Sequence, residues 1–137
     1  MGSRRTRRTA FAVILVDTSF LIRAMVKGTR EDRAIRRWLR GRETLVTSTI
    51  AWAEFRCGPL EPEDFDTAAM IVAERIIFDD ADAVTAARFY NEAGRRRGTL
   101  IDCMIAATAF RAEADLATAN PTDFNRLEPL GVTLVAY

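Results

Sequence analysis

Phe11-Ala12-Val13-Ile14-Leu15-Val16-Asp17 is the stretch on which the fold turns. Its first six residues are apolar and partly β-branched, so a strand made of them has no polar face and is buried on both sides. Strands of that kind belong to parallel sheets with helices above and below. The run stops at an acid. Thr18 or Ser19 is placed to cap a short helix through Arg23 to Val26, and Gly28 closes it. An aspartate directly after a buried strand lies at the carboxyl edge of the sheet, where open α/β folds keep their binding crevice.

The same alternation continues outward from this strand. Glu31 to Arg40 reads as a helix, with Ala34, Ile35, Trp38 and Leu39 at helical spacing and Arg33, Arg36, Arg37 and Arg40 on a solvated face. Thr44 to Thr47 reads as a strand, and Ser48 or Thr49 caps a helix from Ile50 to Arg56 that Gly58-Pro59 ends. Pro62 sits in the first turn of a helix to about Ala73, followed by a strand from Arg75 to Phe78. A helix from Asp80 to about Ala93, a basic loop Gly94-Arg95-Arg96-Arg97-Gly98 and an apolar helix from Asp102 to Ala112 come next. Leu116-Ala117-Thr118 is a short strand, Asn120-Pro121-Thr122-Asp123 has turn chemistry, and Val132 to Ala136 is expected as a last strand. The alternation predicts one α/β sandwich around a mainly parallel sheet.

Composition narrows the chemistry. The chain has 137 residues, 20 basic, 19 acidic and no histidine. That length suits one domain, able to bury roughly two-thirds of its unfolded surface. Without imidazole there is no Ser-His-Asp or Cys-His nucleophile, no histidine-ligated metal, and no ribonuclease route that uses imidazole as acid and base. Cys57 and Cys103 are too few for a four-cysteine zinc site or a disulfide framework, and both read as buried thiols. A single lysine, Lys27, leaves no Walker-A sequence. Carboxylates must carry whatever chemistry there is.

The net charge of +1 is a cancellation. Residues 1–42 hold 12 basic and 3 acidic side chains, whereas residues 43–137 hold 8 basic and 16 acidic ones. Residues 1–10 read as a disordered basic arm carrying Arg4, Arg5, Arg7 and Arg8, with residues 11–137 as the domain. The six apolar residues after the arm are too few for a signal core, and no apolar run approaches a membrane span. The expected compartment is the cytoplasm, with both thiols reduced.

Four acids fall where such a fold builds its crevice. Asp17 follows the first strand, Glu54 lies on the helix after the second, Asp102 opens the apolar helix, and Asp123 follows the Leu116–Thr118 strand. Taken singly, each also suits an ordinary role as a cap, a turn residue or a solvent-facing acid. Their order makes the case. Two carboxylates about 4 Å apart repel by about 4 kcal/mol at an effective dielectric near 20, so such a cluster asks for protons or a cation. An all-oxygen donor set suits Mg²⁺ or Mn²⁺, which activate water and stabilise the leaving oxygen of a phosphodiester.

At this point the motifs resemble a known family. Val16-Asp17-Thr18-Ser19, Ala53-Glu54-Phe55-Arg56-Cys57-Gly58, Asp102-Cys103-Met104-Ile105-Ala106-Ala107 and Leu116-Ala117-Thr118-Ala119-Asn120-Pro121-Thr122-Asp123-Phe124 resemble, in order, the segments of PIN-domain ribonucleases. The likeness is strongest to the VapC toxins of bacterial toxin–antitoxin pairs, and it spans residues 12–137. It implies a PIN-like three-layer α/β/α sandwich and cleavage of RNA by an Mg²⁺-dependent endoribonuclease. Carried over by position, Asp17 and Asp102 hold the metal, Glu54 joins them, and either Asp123 or Asn120 completes the set. Thr18, Ser19 and Thr118 are candidates to orient ligands or water. The resemblance also implies a VapB-type antitoxin partner, crossing a groove for which Phe20, Leu21, Trp38, Leu39 and Trp52 are candidates, and a homodimer.

Arg95, Arg96 and Arg97 stand shortly before Asp102 and are candidates to hold RNA phosphates, although a solvated helix end explains them as well. Two other readings remain. A carboxylate phosphatase would need a second aspartate at the place of Ser19 and a later lysine, for which Lys27 is the only candidate. A catalytically silent RNA- or partner-binding module on the same scaffold gains nothing from an acidic pocket.

Overall fold

The computed structural model describes residues 12–137. The basic arm expected at residues 1–10 lies outside the described residues. Four strands form one sheet in the order β3-β2-β1-β4, with every neighbouring pair parallel. They are β1 (Val13–Val16), β2 (Thr44–Ser48), β3 (Glu74–Ile76) and β4 (Asp115–Ala117). β1 is central: Leu15 lies opposite Val46 on one side and Leu116 on the other.

Side-chain alternation along these strands builds two cores. Ile14, Val16, Leu45 and Ala117 point to one face, where they meet Phe20, Leu21, Ile35, Trp38 and Phe55. Leu15, Val46 and Leu116 point to the other, against Phe89, Ile105, Ala106, Phe124 and Leu127. The first face is covered by α1 (Thr18–Ala24), α2 (Arg30–Arg40) and α4 (Pro62–Ile71), and the second by α5 (Asp80–Glu92) and α6 (Leu100–Arg111). Helix α3 (Thr49–Arg56) serves both, with Ala51 in one core and Phe55 in the other. This is the α/β/α sandwich the apolar first strand predicts. Each fully buried Leu, Ile or Phe contributes about 1.5–3 kcal/mol, so β1 is anchored from both sides.

Several local expectations shift. The cap of α1 is Asp17 itself, whose extended backbone lets its carboxylate accept the Phe20 N–H; neither Thr18 nor Ser19 plays that part. Strand β3 ends at Ile76, because the Phe78 N–H turns to Thr49 Oγ1 and Asp79 begins capping α5. Helix α6 begins two residues before Asp102, at Leu100. The expected last strand, Val132 to Ala136, reduces to one parallel bridge between Leu134 and Leu116, held by the Leu116 N–H to Thr133 and the Val135 N–H to Leu116. Cys103 is buried as expected, but Cys57, at the C-cap of α3, is exposed. No helix among the described residues is long and apolar enough to cross a membrane.

Candidate active site

The carboxyl ends of β1 and β4, with the first turn of α6 and the middle of α3, enclose an open cavity of about 250 Å³. Asp17, Glu54, Asp102 and Asp123 all line it, together with Asn120, Thr18 and Ser19. Ile22 and Ile105 form its apolar walls. Four acids separated by as many as 106 positions in the chain therefore share one space.

Each acid is held differently. Asp17 is buried, at 5% exposure, and its Oδ1 accepts hydrogen bonds from the Phe20 N–H and the Ser19 hydroxyl, both at 2.9 Å. Burial pushes its carboxyl above the usual value, and the Thr118, Phe20 and Ser19 donors only partly counter this. Glu54 is exposed, and its Oε1 accepts from Thr18 Oγ1 at 2.7 Å. Asp102 stands in the first turn of α6, where the helix dipole favours an anion. Even so, burial and then the charges of Asp123, Asp17 and Glu54 raise it to about 6, against a counteracting Arg126. Asp123 closes the short 3₁₀ turn Pro121–Asp123 with its N–H on the Asn120 carbonyl. Asn120 and Asp123 both reach the cavity, so either is placed to complete the set.

The hydroxyls form a connected set. Ser19 Oγ lies 3.3 Å from Thr118 Oγ1 and accepts the Ala119 N–H at 3.1 Å, and Thr118 Oγ1 accepts the Asn120 N–H at 3.0 Å. This network orients Asp17 from behind. The polar side-chain atoms of the lining residues are all oxygens apart from the Asn120 amide nitrogen, which fits a hard divalent cation. Among the described residues, however, no group of three or more carboxylate or thiol side chains is gathered tightly enough to hold an ion. The acids share a space rather than a point.

None of Arg95, Arg96 and Arg97 borders the cavity. They lie exposed in the loop between α5 and α6, where Arg95 adopts a left-handed backbone and its guanidinium turns to Asn91. The cation that acts on Asp102 is Arg126, whose Nη1 donates to the Ala93 carbonyl at 2.7 Å. Sequence reading passed over it. The only available signal was that Arg126 is the one basic residue after Arg111. Of the groove candidates, Phe20, Leu21 and Trp38 are core, Leu39 is half-exposed, and Trp52 is partly buried under the guanidinium groups of Arg56 and Arg75.

A sequence profile of the PIN domain matches residues 14–128. The chain belongs to the PIN-domain family. No curated protein sequence matches it. Among solved structures, this PIN domain is similar to VapBC2 from Rickettsia felis, crystallised bound to a promoter DNA fragment, with TM-score 0.73, 19% identity, and coverage of 91% of this chain and 98% of that one. DNA-bound VapBC from Salmonella typhimurium gives TM-score 0.73 and 21% identity over 91% and 98% of the two chains. A toxin–antitoxin complex from Klebsiella pneumoniae gives TM-score 0.64 and 25% identity over 81% and 89%. The architecture around the four acids is thus the one found in VapBC toxin–antitoxin complexes.

Proposed function

We propose that this PIN domain is a divalent-metal-dependent endoribonuclease, the toxin of a VapBC-type pair. The observation that carries the reading is the convergence of Asp17, Glu54, Asp102 and Asp123 on one cavity at the carboxyl edge of a parallel sheet. Mg²⁺ is the proposed ion, with Mn²⁺ as a substitute; Asp17 and Asp102 would hold it. Glu54 with either Asp123 or Asn120 would join only by moving closer, since no three of these acids stand close enough to share an ion. Such an ion supplies activation of a water and charge stabilisation at the leaving oxygen of the phosphodiester.

The chain's own part follows from its geometry. Three donors fix the direction of Asp17, and Thr18 fixes Glu54 at the rim. With no histidine in the chain, a carboxylate of this set would have to take the proton from an attacking water. The likeness to VapBC complexes supports a VapB-type antitoxin as partner; a homodimeric assembly and a cytoplasmic location complete the proposal.

The purified protein is expected to cleave a structured RNA with Mg²⁺ or Mn²⁺ and to stop on addition of EDTA. Asp17→Asn and Asp102→Asn are each expected to abolish cleavage; wild-type rates in both would remove the cavity from the mechanism. For the toxin role, growth arrest should follow expression alone and be relieved by co-expressing the neighbouring upstream gene. Equal arrest in both cases would count against an antitoxin there. The loose spacing of the acids favours one alternative, a silent binding module, and the same cleavage assay separates the two.

A further inference from the structure

Tyr137 lies outside the cavity, yet it is wired to it. Its hydroxyl shares one proton between two acceptors, Glu31 Oε2 at 2.6 Å and the Thr118 carbonyl at 3.2 Å. Glu31 is a buried acid on α2, 2% exposed, which also accepts from Arg23 Nε at 3.1 Å. The tyrosine ring is wedged edge-on against Phe20, 4.9 Å between centroids, and against Trp38, with the Arg30 guanidinium 5.0 Å over it. Arg30 also donates to the Tyr137 carbonyl at 2.7 Å. Such a ring has little freedom to move.

What it holds is the end of β4. Beyond Ala117 the chain leaves the sheet, and Thr118, Ala119 and Asn120 lack a strand partner of the ladder type. Thr118 touches Ser19 through its hydroxyl, and Ser19 in turn holds both Asp17 and the Ala119 N–H. The Thr118 carbonyl, facing away, meets Tyr137. A relay therefore runs from Glu31 through Tyr137, Thr118 and Ser19 to Asp17.

We infer that Tyr137, oriented by Glu31, is a positioning residue that sets the Thr118–Asn120 segment, and through it the direction of the Asp17 carboxylate. Burial and the Glu31 hydrogen bond push the Tyr137 hydroxyl well above its usual range, so it remains a donor at any working pH. The kinetic part of this inference rests on the nuclease reading above. The structural part does not.

Tyr137→Phe removes the hydroxyl and keeps the ring. Amide hydrogen exchange at Ala119 and Asn120 is expected to quicken about tenfold, while Val46 in β2 is unchanged. On an RNA substrate with Mn²⁺, kcat is expected to fall about tenfold with KM within about twofold, as for other partners of ligand side chains. Glu31→Gln, which weakens the hold on the tyrosine, is expected to quicken the same two amides and serves if Tyr137→Phe does not fold. Unchanged exchange at Ala119 and Asn120, or an equal rise at every amide including Val46, overturns the inference. If the wild type cleaves no RNA, the nuclease reading fails, and the exchange pattern still decides the role of Tyr137.

Discussion

Thr18 and Glu54, 36 positions apart, are joined by a hydrogen bond of 2.7 Å from the threonine hydroxyl to the carboxylate. The bond ties the first residue of α1 to the exposed face of α3 and fixes an acid that otherwise has a free rotamer. Because the pair is exposed, it adds little stability, on the order of 0.5–1 kcal/mol. Thr18→Val should leave the thermal midpoint within a few degrees while lowering RNA cleavage about tenfold, as loss of an orienting partner does. Parallel melting curves and initial rates check this; an unaltered rate would mean Glu54 needs no orientation.

The fourth place in the cavity is open between two side chains that both reach it. Asp123 is, after burial, the largest influence on Asp102, so its charge is felt where the proposed ion sits. Asp123→Asn is expected to weaken Mn²⁺ binding by 10-fold or more on the order set by ligand loss, and Asn120→Ala by less. Isothermal titration of the two variants checks this. Loss confined to Asn120→Ala would assign the place to Asn120.

Stability at low pH should depend on a pair far from the cavity. Asp82 has a fully buried side chain, with Arg111 Nε at 2.6 Å and Arg111 Nη2 at 2.9 Å. Burial alone would raise its carboxyl, but the Arg111 hydrogen bonds and charge outweigh this and hold it below 3.8. A depressed folded-state value means the contribution is present above the unfolded value, near pH 4, and is lost as pH falls through the folded one. Arg111 is partly exposed, so the discounted worth is about 2 kcal/mol. Asp82→Asn should lower the midpoint at pH 7 and flatten its decline below pH 4, measured by thermal melts across pH.

Gly131 tests the packing behind β4. Its φ is +111°, and a Cβ there would stand 2.7 Å from Phe110 Cε1. Gly131→Ala combines backbone strain of about 1 kcal/mol with overpacking of about 1–3 kcal/mol. A drop of several degrees in the melting midpoint is expected, and a midpoint equal to the wild type would show that Phe110 moves aside freely.

Much of the frame was legible because it is local. An unbroken apolar run ending in Asp17 needs a sheet covered on both faces, and the periodic apolar residues of α2 need a core beneath them. The four acids could be named because Asp17 and Asp102 sit at a strand end and a helix start, Glu54 on the helix after β2 and Asp123 in the turn after β4, and the topology of a parallel sheet brings such places to one edge. Val132 to Ala136 was misread for the converse reason. Its pattern suits a strand, but pairing depends on what lies alongside, and only Leu134 finds a bridge to Leu116.

By itself, then, the amino-acid order determined the layered α/β architecture, the exclusion of imidazole chemistry and of a four-cysteine site, and the carboxylates that are candidates to act. Tertiary structure alone decided which groups orient them. The Thr18–Glu54 bond, the Arg126 charge near Asp102 and the path from Glu31 through Tyr137 to Thr118 join residues distant in sequence. No periodicity announces such contacts. Secondary structure follows from each residue's near neighbours along the chain, whereas a hydrogen bond or a charge effect depends on distance in space, which exists only once the sheet and its helices have packed.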